Sequence, residues 1–74
     1  MSEQTVNEID FVMFVLYRVA KEWHVAVSRA YEMLQSVDIV EGYLIPCFDV
    51  LHTLGAEYLV DDVTDLARER GLAV

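Results

Sequence analysis

From Ile9 to Trp23 nearly every side of a helical wheel is apolar. Ile9, Val12, Met13, Leu16, Ala20 and Trp23 recur on one stripe, while Phe11, Phe14, Val15 and Val19 fill much of the opposite side. A helix that is apolar nearly all round must be covered on several sides. The segment therefore predicts a central helix with other elements packed around it. The uninterrupted apolar run Phe11–Tyr17 is also compatible with a strand. Two features favour a helix. Thr5-Val6-Asn7-Glu8 has the form of a capping box, in which the Thr5 hydroxyl accepts from the Glu8 amide and the Glu8 carboxylate reaches back to the Thr5 amide. Arg18, Lys21 and Glu22 then continue a helical pattern, and the helix is expected over about Val6–Glu22. The run is far shorter than the ~20 apolar residues needed to span a membrane.

The remaining chain also reads as helical. His24 and Val25 form a short turn, and a second helix runs from about Ala26 to Ser36 with Val27, Ala30, Tyr31 and Leu34 as its apolar stripe and Met33 beside it. Arg29 and Glu32 lie off that stripe as a solvated pair. Asp38 is placed to cap a third helix over about Ile39–Thr53, with Val40, Tyr43, Leu44, Cys47, Phe48, Leu51 and Leu54 on its apolar face. Pro46 interrupts this pattern. It either kinks the helix near Gly42 or lies in the first turn of a helix starting near Ile45. Gly55 reads as a C-terminal stop, Tyr58-Leu59-Val60 as an extended stretch, and Asp61 or Asp62 as the cap of a fourth helix ending near Arg70, with Gly71 beyond it. The expected fold is all-α: a compact bundle of three main helices plus a short C-terminal helix, in one small domain over 1–74 with its core at about 6–70.

Composition bears on what such a bundle does. A chain of 74 residues buries only about 60% of its unfolded surface and needs added stabilisation. Cys47 is the only cysteine, so no disulfide within the chain supplies it, and no Cys/His cluster offers a structural zinc site. A lone cysteine without a leader-like start suggests a reducing, cytoplasmic setting. Hydrophobic residues make up 55% of the chain and mean hydropathy is +0.32, above the ~45–50% usual for soluble domains. The excess points to a contact surface for a homo-oligomer or a protein partner. Thirteen acidic residues stand against Arg18, Lys21, Arg29, Arg68 and Arg70, for a net charge of −8. That balance opposes phosphate backbones and suits a basic partner.

The stretch Tyr43-Leu44-Ile45-Pro46-Cys47-Phe48-Asp49-Val50-Leu51-His52-Thr53-Leu54-Gly55, followed by Glu57-Tyr58-Leu59-Val60-Asp61-Asp62-Val63, resembles the signature of a small bacterial family of unknown function. Members share an aromatic-Asp-x-Leu-His-Thr core and a Tyr-Ile/Leu-Val-x-Asp segment. Phe11–Tyr17 and Ala30-Tyr31-x-x-Leu34 are similar too, so the resemblance covers about residues 9–70. It implies an all-helical fold without an agreed enzymatic activity. It also implies gene neighbours resembling ADP-ribosyltransferases, and with them a toxin–antitoxin or effector–partner pairing. The chain departs from the family pattern at Phe48, where Tyr is usual, at Ala26, a capping position where Ser is common, and at Pro46, where an acidic or polar residue is more frequent.

Within this signature Asp49, His52, Thr53, Tyr58, Asp61 and Asp62 are the candidates for a structural or partner-contact motif, and Trp23 is a candidate interface anchor. Asp49 and His52 are three apart on a helix and can meet, as in a catalytic dyad. No nucleophile accompanies them: Thr53 points elsewhere, and Cys47 lies about 140° from His52 around a helix. The alternative is architectural, with His52 bonded to a main-chain carbonyl or to Asp49. Asp49, His52, Asp61 and Asp62 are suitable metal ligands at a spacing that matches no established site. The expectation is therefore no catalytic, metal or cofactor residues, and a small acidic protein that binds another protein, as an antitoxin-like neutraliser or accessory subunit of a co-encoded effector. The alternatives are a helix-turn-helix DNA-binding regulator, weakened by a third helix without Arg or Lys, and a small enzyme using Asp49 and His52.

Overall fold

The computed structural model describes the backbone from Glu3 onward and the side chains from Asn7 onward. The architecture is all-α, and no strand occurs among the described residues. Helix α1 spans Glu3–Trp23 and α2 spans Val27–Ser36. A single π-helical turn, Val40–Leu44, leads to the one-turn helix α3, Phe48–Leu51, and α4 runs over Ala56–Glu69. The bundle measures 35 × 21 × 20 Å. α1 is the shared partner of α2 and α4. Val15 and Val19 of α1, Leu34 of α2, Ile39, Leu44 of the π turn, and Leu59 and Val63 of α4 are its largest fully buried side chains.

α1 is covered on one side only. Phe11, Val12, Val15, Leu16, Val19 and Ala20 are buried, whereas Ile9, Met13, Phe14 and Tyr17 remain 40–61% exposed. The two apolar stripes expected from the sequence are thus repartitioned, because burial follows pairs of adjacent positions at 11/12, 15/16 and 19/20. α1 also begins at Glu3, upstream of the expected start, which puts Thr5 inside the helix rather than at its cap. The Thr5 side chain of the expected capping box lies outside the described ones.

Three helices end alike. After α1, His24 adopts φ 57°, its amide donates to the Lys21 carbonyl, and the Val25 amide donates to the Ala20 carbonyl. After α2, Asp38 adopts φ 57°, with the amides of Asp38 and Ile39 donating to Gln35 and Leu34. After α4, Gly71 at φ 103° and Leu72 close onto Arg68 and Ala67. This is the Schellman arrangement, which satisfies terminal carbonyls and pairs apolar residues across the end. Leu34 and Ile39 form that pair after α2, both fully buried. Gly71 therefore sits where expected. Asp38 does not cap a third helix; it is the left-handed residue ending α2, a conformation in which Asp and His are enriched among non-glycines.

The expected third helix is broken. The amides of Leu44 and Ile45 donate five residues back, to Ile39 and Val40, where an α-helix would use four. Pro46 follows with no amide to donate, and four-residue bonding resumes at Cys47, which donates to Tyr43. The break falls where the proline suggested, in the form of a π turn. A Cβ on Gly42 would run into the Asp38 carboxylate, so the turn closes tightly over the end of α2.

Downstream, three expectations are corrected together. Gly55, at φ −69° and ψ 154°, is the N-cap of α4 rather than a C-terminal stop. Tyr58-Leu59-Val60 is helical, not extended, and Asp61 and Asp62 lie inside α4 rather than capping it. The C-terminal helix is consequently the third main one, with 14 residues, and the short helix is α3. Leu72 and Val74, beyond the expected core boundary, also pack on the core.

Candidate functional site

Two regions carry side chains that a function can use. The first is the corner formed by α3 and the start of α4. Phe48 sets its edge against Phe11 of α1, with ring centroids 5.5 Å apart at 72°. His52 stacks on Phe48 at 4.5 Å and 16°. Its Nδ1 lies 2.7 Å from the Phe48 carbonyl oxygen, so Nδ1 carries the proton and donates. The Thr53 hydroxyl donates to the Val50 carbonyl at 2.8 Å. Both bonds add a side-chain donor to carbonyls that already accept the His52 and Thr53 amides, at 2.9 and 3.4 Å. Asp49 and Val50 face solvent beside them.

The Asp62 carboxylate accepts from the Tyr43 phenol, joining α4 to the π turn. The Tyr43 phenol is pushed up to about 12, first by burial and then by its hydrogen bond to Asp62 and the negative charge there. Asp61 faces an open groove between α1 and α4, across from Arg18, Lys21 and His24. Tyr58 is 60% exposed. Trp23 is half buried, and its indole N–H donates to Thr64 Oγ1 at 3.0 Å, tying α1 to α4. The polar tip of the candidate anchor is therefore used within the chain.

The sequence reading missed three of these contacts. Tyr43–Asp62, Trp23–Thr64 and the Arg70 guanidinium bonded to the Val37 and Asp38 carbonyls, at 2.8 and 3.2 Å, link positions 19 to 41 apart. No local periodicity marks such pairs. Arg70 closes the end of α2 from outside it, as cations favour helix C-termini.

The second region is the uncovered side of α1. Ile9, Met13, Phe14 and Tyr17 form a continuous apolar surface, with the Arg18 guanidinium over the Phe14 ring at 6.0 Å. Arg18 and Lys21 are exposed here with Asp10, at the edge of the groove that Glu57 and Asp61 line from α4. The rest of the chain is charged differently: Ala30–Ala67 holds eight acidic residues and no Lys or Arg. Among the described residues, no group of three or more His, Cys, Asp or Glu is arranged to hold a metal. No described helix is long and apolar enough to cross a membrane.

No curated protein matches this chain significantly, and no solved structure does. Residues 10–70 match the family described as Protein of unknown function (DUF3791). That match takes in α2, α3, α4 and most of α1, and the chain belongs to this family.

Proposed function

We propose that this protein works by binding another protein chain. The observation that carries the reading is the uncovered side of α1, where Ile9, Met13, Phe14 and Tyr17 stand 40–61% exposed. Contiguous apolar surface of a few hundred Å² on a small domain marks interaction sites, and aromatic side chains are the usual energetic anchors there. Phe14→Glu should abolish association measured by size exclusion with light scattering while leaving the circular dichroism spectrum intact. An unchanged elution profile for every complex the protein forms would sink the reading.

The finer form of the proposal is an antitoxin-like neutraliser, or accessory subunit, of a co-encoded effector enzyme in the cytoplasm. The net charge of −8 and the cation-free stretch from Ala30 to Ala67 support it, since such a surface complements a basic or phosphate-binding face. On this reading the chain performs no catalytic step, and His52 and Asp49 shape the corner beside the partner surface. Co-expression with the neighbouring gene product tests it: co-elution and relief of toxicity are expected, and absence of both refutes it.

A further inference from the structure

We infer that the occupant of the open α1 face is a second copy of this chain, laid antiparallel across it about a two-fold axis. The inference rests on the reading of that face as a contact surface. It comes from the order of residues along the exposed ridge. Asp10, Phe14, Tyr17 and Lys21 are all exposed on α1, in steps of four, three and four residues. That spacing keeps them on one narrow seam, as in coiled-coil packing. The spacing is also palindromic, with an acid at one end, a base at the other and two aromatics between.

Reversing a second copy about the midpoint between Phe14 and Tyr17 sets each Asp10 against the other's Lys21, and each Phe14 against the other's Tyr17. A two-fold contact needs this self-complementarity, in which one residue meets a different one and the relation holds both ways. Asp10 and Lys21 cannot satisfy each other within one chain, because eleven helical residues separate them by about 16 Å. Ile9 and Met13, 47% and 40% exposed, form an apolar flank that meets the same flank of the second copy.

Charge selects this face over the others. Each copy carries −8, so approach through most of the surface is repulsive. The exposed side of α1 carries Arg18 and Lys21 with Asp10, and Glu22, Glu57 and Asp61 line the groove beside those two cations, so positive charge offsets negative there. The four apolar side chains expose on the order of 400 Å² per copy. With the stems of Lys21 and Arg18 around them, the contact reaches the small end of specific interfaces, roughly 600 Å² per copy.

Charge reversal tests both the partner and the register by sedimentation equilibrium. Wild type should dimerise, and Asp10→Lys or Lys21→Asp alone should each weaken the dimer about tenfold or more by placing like charges opposite one another. Mixing the two single variants should restore association, because a mixed pair regains both contacts. A mixture no tighter than either variant alone overturns the inference. So does a wild-type chain that stays monomeric at the highest soluble concentration. In that event Phe14→Glu separates the two claims. Loss of a complex with the co-expressed partner would leave α1 a contact face for a different protein; no effect would remove both claims. Tyr17→Glu reads the same contact should Phe14→Glu not fold.

Discussion

Thr64 is the one polar residue in the core among those described, at 9% exposure, and Trp23 explains it. The indole N–H needs an acceptor, and the Thr64 hydroxyl supplies it from across the α1–α4 contact. Thr64→Val keeps the shape and strands the donor, so it should cost about 1–2 kcal/mol by urea denaturation, whereas Thr64→Ser should cost less. Tyr43 gives a pH-dependent counterpart. Its folded value of about 12 exceeds the ordinary 10, so the folded state favours the protonated phenol. The stabilisation is fully present below pH 10 and is lost as pH rises from there towards 12. Tyr43→Phe should flatten this alkaline loss, followed by thermal melts across that range. At this scale the sequence is legible where bonds are local and not where they are distant. The Leu-His-Thr triplet bonds main-chain carbonyls one turn back, as the architectural reading expects. Asp62 was noticed as a helix cap, and its described partner is a tyrosine 19 positions away.

Helix ends were readable where local chemistry dominates. Gly71 stops α4 and the His24-Val25 turn stops α1, because the left-handed residue and its two closing bonds are local. Ala26 is the N-cap of α2 and makes no side-chain cap bond, so Ala26→Ser should stabilise the protein by about 1 kcal/mol. Chemical denaturation would show this as a higher midpoint with an unchanged slope, and an unshifted midpoint would contradict it. The segment from Asp38 to Val60 is less legible, for two reasons. Pro46 blocks a continuous helix, and the sequence alone does not choose between a kink, a late start and a π turn. The run Tyr58-Leu59-Val60 has β-favouring side chains, but Leu59, Val60, Val63 and Ala67 are all buried in α4. Helical spacing against α1 outweighs the local preference.

At the scale of the whole molecule, the small core leaves stability sensitive to association. If two copies pair through α1, the melting temperature should rise with protein concentration, and Phe14→Glu should remove that dependence; a concentration-independent wild-type melt would argue for a monomer. Arg70→Ala should loosen the closure of α4 over the end of α2, where it now bonds the Val37 and Asp38 carbonyls, at a cost of about 1 kcal/mol. The all-α class, the extent of α2, the stop at Gly71 and the surplus of apolar residues were determined by the sequence itself, since periodicity, end chemistry and composition act over a few residues. Tertiary structure decided which half of α1 is covered. The apolar pattern there runs round the helix, and only the packing of α2, α3 and α4 on it buries the 11/12, 15/16 and 19/20 positions and leaves Ile9, Met13, Phe14 and Tyr17 facing out. It also joined Trp23 to Thr64 and Tyr43 to Asp62, because contacts between residues far apart in the chain depend on how helices pack and leave no periodic trace along it.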